Sequence, residues 1–495
     1  MKNGKLRVAL VGVSFGAEFI PIYLKHPDVD SLVLVDTNEK LLNAVGDKFL
    51  LEERLTDFNA MLEDKTIDAV HLVTPPATHA PLSIQVMNAG KHCACTIPMG
   101  MSIDELYQVI DARKRSGKHY MFMETSVYGR EFLYVKNLYE KGELGRIQFM
   151  RCAHYQDMEG WPDYWLGFPP LMHPTHAVAP CLMLLGKRPE TVYCKGSGKV
   201  RKEVEAPYGC PYAFESALIS LKDSDVSIEM ARFLYHVARG YTESFNIYGE
   251  RKSFEWQQLE SEQPVLFSMA LGANAEHVMN DYGRGGLVTE ERIQIPDYAD
   301  RLPAEIGRFT KQTVYDDSNP HLSFLQGGGH GGSHPHLVHE FVRSILEDRT
   351  PVPSDIDGAY WTGVGICAHQ SAMDGGVVKR VSVFTHLFPH RLGSYVRKRS
   401  VSVKFIITIA KSKEQNNRPL VESSLKTIFF FCLFSGFTQG ELLFRGSKIL
   451  NRKPSLLLTF KNTGEKRVLS GRKCTPFKRL LSNSNKYRVK IDKKW

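Results

Sequence analysis

Long hydrophobic runs and an apolar leader are both absent from this sequence of 495 residues. No apolar stretch approaches the roughly 20 residues that a helix needs to cross a bilayer. Residues 1–5 are mostly polar and lead directly into an apolar strand, so we predict no secretory signal. These absences argue against a membrane or secreted protein and favour a cytoplasmic one.

Paired cysteine motifs are also lacking. The chain has nine cysteines at scattered spacings, and none of them forms a C-x-x-C pair. This usage is typical of reduced, mostly buried thiols in a cytosolic protein. Cys93 and Cys95 lie in an apolar stretch, so we interpret them as core residues rather than as a redox pair.

Acidic residues are scarce in the last part of the chain. Residues 385–495 carry 25 Lys and Arg against 5 Asp and Glu, whereas residues 1–384 carry 38 against 49. Such a split predicts an appended segment with its own partner or origin. We predict a basic tail of uncertain structure, which is either a contact surface for nucleic acid or a membrane surface, or a read-through end of the gene. No other part of the chain suggests nucleic acid or a membrane.

Short apolar runs alternate with helical patterns over residues 1–125. The runs are 6–11 (LRVALV), 31–35, 68–73, 92–95 and 120–123. Continuous apolar runs are typical of strands that are buried on both faces of a parallel sheet. Strands that alternate with helices at this spacing predict a doubly wound parallel sheet of the Rossmann type, which is an α/β fold.

The pattern changes over residues 126–384. Stretches with partial alternation and many β-branched or aromatic residues lie at 147–154, 191–195, 217–222, 227–233 and 244–248. Turn residues between them favour antiparallel pairing. We predict an α+β domain with a large open, mainly antiparallel sheet, and a last helix near residues 337–347.

A glycine-containing turn follows the first strand. Residues 12–17 read GVSFGA, close to the G-x-G-x-x-G/A pattern of dinucleotide-binding turns. Gly12 would make the tight turn, and Ala17 would allow close packing of helix on strand. Ser14 replaces the glycine that lets the backbone approach the diphosphate, so this motif alone is a weak signal.

Asp36 strengthens the interpretation of that turn. It stands 24 residues after Gly12, at the end of the second strand, where a carboxylate binds the ribose hydroxyls of a dinucleotide. A carboxylate there repels a 2′-phosphate. The sequence therefore predicts NAD rather than NADP as the cofactor.

Further motifs carry a family resemblance. Residues 74–79 (TPPATH), 90–92 (GKH), 95–98 (CTIP) and 142–145 (GELG) resemble the Gfo/Idh/MocA family of NAD(P)-dependent oxidoreductases. The resemblance spans about residues 6–384. It implies a Rossmann domain, a second domain whose sheet serves in a homo-oligomer, and a small sugar or polyol as substrate. The cofactor-binding residues that follow from the turn and the resemblance are Gly12, Ser14, Phe15, Gly16, Asp36, Thr74, Pro75, His79, Thr96, Ile97 and Pro98.

Two positions depart from the usual pattern of that family. The family has a catalytic lysine where this chain has Ile97, and an aspartate where this chain has Met172. The site is more similar to the NAD-dependent glycosidase branch, which has an apolar residue for the lysine and a Tyr-Pro-Thr-His motif. Here the motif reads His-Pro-Thr-His over residues 173–176. A Gly-His-Gly-Gly string of that branch is present at residues 329–332.

Histidines are the candidate catalytic groups, because an imidazole exchanges protons near neutral pH. His176 is the first candidate for the base and His173 the second; the two share one helix face if their segment is helical. Tyr155 is a further acid or base candidate. We expect Trp165, His330 and His334 to contact the substrate. No ligand spacing supports a metal, so none is predicted.

Three functions remain open on this reasoning. The first is an NAD-dependent oxidoreductase that acts on a sugar, polyol or glycoside, with His176 as the base. The second is a redox-neutral glycoside hydrolase or lyase that oxidises its substrate transiently, eliminates the leaving group and reduces the product again. The third is a non-catalytic NAD-binding protein, suggested by the missing lysine.

Overall fold

The computed structural model describes residues 4–270, 287–311, 313–325, 330–384, 403–408, 442–445 and 455–460. They fall into two units, residues 1–388 and residues 389–495. Residues 326–329, the last of which begins the Gly-His-Gly-Gly string, lie outside the described part of the chain.

The first domain is built on a six-stranded parallel sheet with the order β3-β2-β1-β4-β5-β6. The strands are β1 (Leu6–Val11), β2 (Val29–Val35), β3 (Arg54–Leu55), β4 (Ala69–Leu72), β5 (His92–Cys95) and β6 (Tyr120–Phe122). The connecting helices are α1 (Ile20–Lys25), α2 (Glu39–Phe49), α3 (Phe58–Glu63), α4 (His79–Asn88) and α5 (Ile103–Ser116). The chain changes direction across the sheet between β1 and β4, which is where ligands bind in such folds. The predicted Rossmann sheet is confirmed.

The central strand shows why the sequence contains an unbroken apolar run. Side chains along β1 alternate between the two faces of the sheet. Leu6, Val8 and Leu10 enter one hydrophobic cluster, and Ala9 and Val11 enter the other. Both faces are covered, so neither set can be polar.

The second domain contains a nine-stranded sheet with the order β14-β13-β12-β11-β7-β10-β9-β8-β17. Its strands are β7 (Ile147–Tyr155), β8 (Pro189–Ser197), β9 (Phe214–Leu221), β10 (Ser227–Phe233), β11 (Thr242–Gly249), β12 (Lys252–Glu255), β13 (Val265–Ala270), β14 (Leu287–Arg292) and β17 (Lys379–Arg380). Only β7 and β10 pair in parallel; the other neighbouring strands of this sheet are antiparallel. The predicted mainly antiparallel sheet is therefore confirmed.

Helices cover one face of this sheet. The helices that follow in the chain are α6 (Arg130–Glu140), α7 (Thr175–Leu185), α8 (Lys202–Glu205), α9 (Ala304–Gly307), α10 (His334–Leu346) and α11 (Asp355–Met373), and a short hairpin joins β15 (Thr313–Val314) to β16 (Phe324–Leu325). Of these helices, α9 and α10 pack against α1 of the first domain. Helix α7 packs on β7, β10 and β11. Helix α11 packs against α7, α5 and β8 and so joins the two domains.

The prediction of a last helix near residues 337–347 was incomplete, because α11 follows it. Most side chains around α11 are buried, so it lacks the apolar stripe by which a surface helix is recognised. Gly365 lies where α11 meets the segment before His173. A Cβ atom at this glycine would stand 2.3 Å from the carbonyl oxygen of Leu171, so only glycine permits this approach.

The second unit is described at three strands, β18 (Val403–Thr408), β19 (Leu442–Arg445) and β20 (Ser455–Phe460), which form an antiparallel sheet in the order β18-β20-β19. The interpretation of this segment as a basic tail stays a prediction. Among the helices that the structure describes, none has the length and apolar character needed to cross a membrane.

Candidate functional site

The turn after β1 is held in a conformation that requires glycine. Gly12 has φ +90°, and a Cβ atom there would lie 2.1 Å from the carbonyl oxygen of Val73. Its N–H donates to the carbonyl of Val35 at 2.8 Å, which ties the turn to β2. Ser14 and Phe15 follow as exposed residues, and Gly16 is buried against Leu10 and Val73. The backbone is thus open to a ligand exactly where β1 meets β4.

Asp36 closes the other side of this turn. Its carboxylate accepts hydrogen bonds from the N–H of Val13 at 2.9 Å and from the N–H of Asn38 at 2.8 Å. These bonds fix the half-buried side chain at the end of β2 and leave further lone pairs on each oxygen. The carboxylate is therefore positioned to accept the two hydroxyls of a ribose. The tight glycine turn and this fixed acceptor fit the adenosine and diphosphate parts of a dinucleotide.

The loops after β4 and β5 meet through His79. Its Nδ1 lies 2.7 Å from the carbonyl oxygen of Pro98, and its Nε2 lies 2.6 Å from that of Thr74. Burial lowers the pKa of His79, and the contacts with the two carbonyl oxygens oppose that shift. Thr96 donates to the carbonyl of Leu72 at 3.1 Å. The predicted residues Thr74, Pro75, Thr96, Ile97 and Pro98 therefore lie on two loops that this one histidine joins.

A buried acid–imidazole contact joins the two domains. Glu124 follows β6 at the carboxyl edge of the Rossmann sheet and is fully buried. Its Oε1 lies 2.6 Å from Nδ1 of His176, the second residue of α7. The hydroxyl of Thr125 lies 3.3 Å from the same nitrogen. The imidazole of His176 is thereby fixed with Nε2 directed away from Glu124.

The two partners shift each other's pKa in the sense of an ion pair. Burial by itself lowers the pKa of His176, but the carboxylates of Glu124 and Glu243 outweigh it and raise the pKa above 6.5. Burial likewise opposes ionisation of Glu124, but His176 outweighs it and lowers the pKa of that carboxyl. Because a helix N-terminus disfavours a cation, these carboxylates are needed to keep a proton on His176 at that position.

Four charged or titratable residues stand in one row across the second sheet. The strand register places Glu215 opposite Arg232, Arg232 opposite His154, and His154 opposite Glu243. Residues paired in this way point to the same face, which is the face that α7 covers. All four are buried. The row therefore places charged side chains on the sheet face that lies against His176.

Glu243 completes the site next to His176. Its Oε1 lies 3.6 Å from Nε2 of His176 and 3.8 Å from Nε2 of His330. The hydroxyl of Tyr241 donates to the same oxygen. Burial raises the pKa of Glu243 to about 7. Nε2 of His176, Nε2 of His330 and Oε1 of Glu243 thus surround one position. The distances between these atoms leave room for an oxygen atom there.

This point opens into a cleft. The inner part of the cleft is lined by His176, Glu243 and His330, together with Thr125 and Phe245. The outer part has a volume of about 460 Å³. Residues that line both parts are Glu131, Glu243, Trp256 and Gly331, and the outer part adds Tyr241, Gln257, Gln258, Glu260, Asp297 and Lys311. An aromatic surface among many polar groups is the kind of lining that a polyhydroxylated ligand requires.

His330 also connects the cleft to the dinucleotide turn. Its ring centroid lies 5.7 Å from that of His176 and 5.6 Å from that of Phe15. The ring of Phe15 lies 5.8 Å from that of His334. The predicted cofactor turn and the predicted histidines therefore meet at the same place.

His173 lies just before helix α7. The helix begins at Thr175, and His173 has φ −122° and ψ 66°, so the condition for a helix face shared with His176 is not met. Proline at position 174 disfavours helical geometry in the residue before it, which explains the difference. The two rings still lie 5.3 Å apart, and Nδ1 of His173 is 3.2 Å from Nη2 of Arg232.

Tyr155 and Trp165 are placed away from Nε2 of His176. Tyr155 alternates with His154 along β7 and so faces the other side of the sheet, where its ring packs 5.5 Å from that of Phe233. Trp165 is buried, with its ring 5.2 Å from that of His173. These contacts show packing, so the catalytic role of Tyr155 and the substrate contact of Trp165 stay predictions.

Sequence reasoning missed Glu124, Arg232, Glu215 and Glu243. Glu124 carried a usable signal, because it directly follows a predicted parallel strand at the edge where ligands bind. Glu243 and Arg232 carried a weaker one, as charged residues within strand-like stretches. Their meeting with His154 depends on strand register, which no local pattern shows.

Replacement of Asp36 tests the dinucleotide site. In Asp36→Asn one charged acceptor becomes neutral, and we expect the dissociation constant for NAD to rise about tenfold, since hydrogen bonds to a charged group are stronger by about 1.4 kcal/mol. The preference for NAD over NADP should fall as well. Titration calorimetry measures both constants. Asp64→Asn, at the opposite edge of the sheet near Arg7, is the control. Unchanged NAD affinity in Asp36→Asn would contradict the assignment of Asp36 to the dinucleotide site.

Comparisons with known proteins bear on the first domain and on the fold. Residues 6–124 match a family described as an oxidoreductase family with an NAD-binding Rossmann fold. A glycosyl hydrolase family 109 protein of Shewanella baltica is 27% identical over 201 residues, which are 36% of this chain and 44% of that protein. The α-N-acetylgalactosaminidase of Shewanella oneidensis is 25% identical over 197 residues, 35% of this chain and 43% of the relative. These matches span less than half of either relative.

A longer match and two solved structures extend the likeness. A family 109 protein of Shewanella sp. strain ANA-3 is 25% identical over 407 residues, 74% of this chain and 82% of the relative. Levoglucosan dehydrogenase, solved with NADH and levoglucosan, has a TM-score of 0.60 at 18% identity and covers 76% of this chain and 99% of its own. The myo-inositol 2-dehydrogenase of Lactobacillus plantarum has a TM-score of 0.55 at 17% identity and covers 76% of this chain and 100% of its own. At these identities the structures show a shared fold. With the turn at Gly12 and the carboxylate of Asp36, the family match shows that residues 6–124 are an NAD-binding Rossmann domain of the Gfo/Idh/MocA oxidoreductase family.

Proposed function

We propose that this protein is an enzyme that oxidises a secondary hydroxyl of a sugar, polyol or glycoside with NAD, and that His176 is the base. The observation that carries the proposal is the buried contact of 2.6 Å between Glu124 and His176, which leaves Nε2 beside Glu243 and His330. A base oriented by a carboxylate is the arrangement that proton abstraction needs.

Each residue of this group has a separate task. Glu124 holds the proton on Nδ1 of His176, so that Nε2 is the nitrogen that takes the hydroxyl proton. Glu243 and His330 flank the position of the hydroxyl oxygen on two further sides. When bound, NAD accepts the hydride from the carbon, and the residues that hold it are those of the turn at Gly12 and the carboxylate of Asp36. Phe15 brings that turn against His330.

The chemistry of the cleft supports a carbohydrate-like substrate. Trp256 offers a flat apolar surface, and Gln257, Gln258 and Tyr241 offer groups that donate to or accept from hydroxyls. The proteins named above act on or bind sugars and an inositol by their names: levoglucosan, myo-inositol and N-acetylgalactosaminides. This agreement favours a polyhydroxylated ring over other secondary alcohols.

A substrate panel with NAD tests the proposal. We expect at least one sugar, polyol or glycoside to produce reduced nicotinamide, seen by absorbance in the first turnover. His176→Asn should lower the rate by about 10²–10⁴-fold, because it removes a general base, and should leave NAD affinity unchanged. His336→Asn, a buried histidine that stacks on Tyr128, is the matched control. An active His176→Asn variant would contradict the assignment of the base.

The proposal predicts the direction in which kcat/KM changes with pH. The base works when His176 is neutral, and its pKa is raised above 6.5, so kcat/KM should increase as pH rises through that raised pKa. Glu243 titrates near pH 7, and the profile reports the two groups together. Glu124 raises the pKa of both, so Glu124→Gln should move the midpoint to lower pH.

Initial rates over a series of buffers measure this shift. Glu143→Gln, a half-buried carboxyl paired with Lys252, serves as control and should leave the midpoint in place. A midpoint that is the same in Glu124→Gln and in the parent chain would show that the buried contact does not set the pKa of the base.

A second candidate function rests on two apolar positions. Ile97 and Met172 are nearly buried where the usual family pattern has a lysine and an aspartate. The relatives named glycosyl hydrolase family 109 point the same way. In this alternative the hydroxyl is first oxidised transiently to a ketone, which acidifies the neighbouring carbon. That carbon loses a proton and the leaving group departs. Water then adds, and the ketone is reduced again.

Aryl glycosides in deuterated water separate the two functions. The redox-neutral route should release the aryl alcohol without net formation of NADH and should place deuterium on the carbon next to the oxidised one. Net NADH formed in proportion to product would instead support the dehydrogenase. Cleavage without deuterium incorporation would rule out the elimination route.

A further inference from the structure

The two nitrogens of His330 face different partners. Its Nε2 is directed to Glu243, 3.8 Å away, and its Nδ1 lies 3.2 Å from Nε2 of His334. Nδ1 of His334 lies in turn 3.5 Å from Oε2 of Glu18. Titratable groups with neighbouring atoms 3.2–3.8 Å apart therefore run from His176 through Glu243, His330 and His334 to Glu18, and the His330–His334 contact is a hydrogen bond.

We propose that His330 and His334 form a proton relay that carries the proton released at His176 from the substrate cleft to Glu18. This inference rests on the proposed oxidation. In that reaction the C–H electron pair leaves as hydride to NAD, and the O–H proton goes to Nε2 of His176. The proton then passes to Glu243 and to Nε2 of His330. It leaves from Nδ1 of His330 to Nε2 of His334, and from Nδ1 of His334 to Glu18.

Both imidazoles are suited to pass a proton on. A neutral imidazole has one donor and one acceptor nitrogen, so it takes a proton on one side and gives one up on the other. Burial lowers the pKa of His330 to about 3 and keeps the pKa of His334 well below its ordinary value, so both rest neutral. A charged resting state would block the relay, since both nitrogens would then be donors.

Aromatic packing fixes the two rings in place. The ring of His334 stacks on that of Phe19 with centroids 4.4 Å apart, and the ring of His330 packs against Phe15 at 5.6 Å. His334 has no solvent exposure, whereas the side chain of Glu18 is 18% exposed. The series thus begins at a buried base and ends at a carboxyl that reaches solvent.

The longer spacings mark the place of the substrate. The contacts of Glu243 with His176 and His330, at 3.6 and 3.8 Å, are too long for hydrogen bonds. An oxygen atom between the three groups bridges both distances. Because a bound substrate then fills the cleft, a proton that has reached His330 leaves on the side towards Glu18, away from the cleft.

Proton release during the first turnover tests the relay. In weakly buffered solution with a pH-indicator dye, NADH formation and proton release should coincide in the parent chain. In His334→Phe, which keeps an aromatic ring on Phe19, proton release should lag behind NADH formation by at least about tenfold, the scale of a lost proton-transfer group. Added imidazole should restore it. His336→Phe in the same helix is the matched control and should show no lag.

Two further measurements separate relay from packing. Glu18→Gln leaves both rings in place and should slow proton release as well. Nitrogen-15 NMR of histidine-labelled protein without substrate should show the N–H···N bond between His330 and His334, and its loss in His334→Phe. Proton release in step with NADH in both His334→Phe and Glu18→Gln would overturn the relay. Absence of NADH in the parent chain with every substrate would instead overturn the proposed oxidation.

Discussion

The buried contact between Glu124 and His176 is the interaction on which the rest of the site depends. Glu124 follows the last strand of the Rossmann sheet, and His176 is the second residue of the helix that covers the second sheet. Neither group could be buried alone at low cost, because an unpaired charge in the interior is strongly disfavoured. Each therefore requires the other. Their pairing fixes both the relative position of the two halves of the cleft and the tautomer of the base.

The second sheet supplies the charge that this pair needs around it. Four polar residues in one register row form a strip across a sheet that is otherwise apolar on its covered face. Burial lowers the pKa of Arg232 to about 10 but leaves it cationic near neutral pH, and Glu215 is held by the N–H of Leu171 and by His369. Glu215 also positions the turn that leads to His173. The strip therefore connects the surroundings of His176 with the turn that precedes it in the chain.

The sequence predicted those parts of the structure whose pattern lies within a few consecutive residues. The apolar run of β1, the turn at Gly12 and the strand-end carboxylate of Asp36 each lie within a few residues, so the Rossmann domain and its cofactor followed from local patterns. Histidine at position 176 followed from a motif of four residues. Its role stays a proposal, but the structure places it with His330, as the two motifs suggested.

The parts that sequence missed depend on contacts across the fold. Glu243 joins His176 only because β11 lies beside β7 in one particular register. Helix α11 is buried on nearly all sides and so shows no amphipathic period. Neighbours on a strand point to opposite faces, so local sequence does not show that Tyr155 faces away from His154. The shared helix face of His173 and His176 depended on a helical segment, and His173 lies before the first residue of α7.

The most direct test of the account is the protonation of His176 itself. Histidine nitrogen shifts, followed by NMR across pH in the protein without substrate, report which nitrogen holds the proton and at what pH the second one is lost. The account predicts that Nδ1 keeps its proton throughout, that Nε2 loses its proton at a pH above 6.5, and that this pH falls in Glu124→Gln. A neutral His176 with its proton on Nε2, or a titration below 6.5, would contradict it.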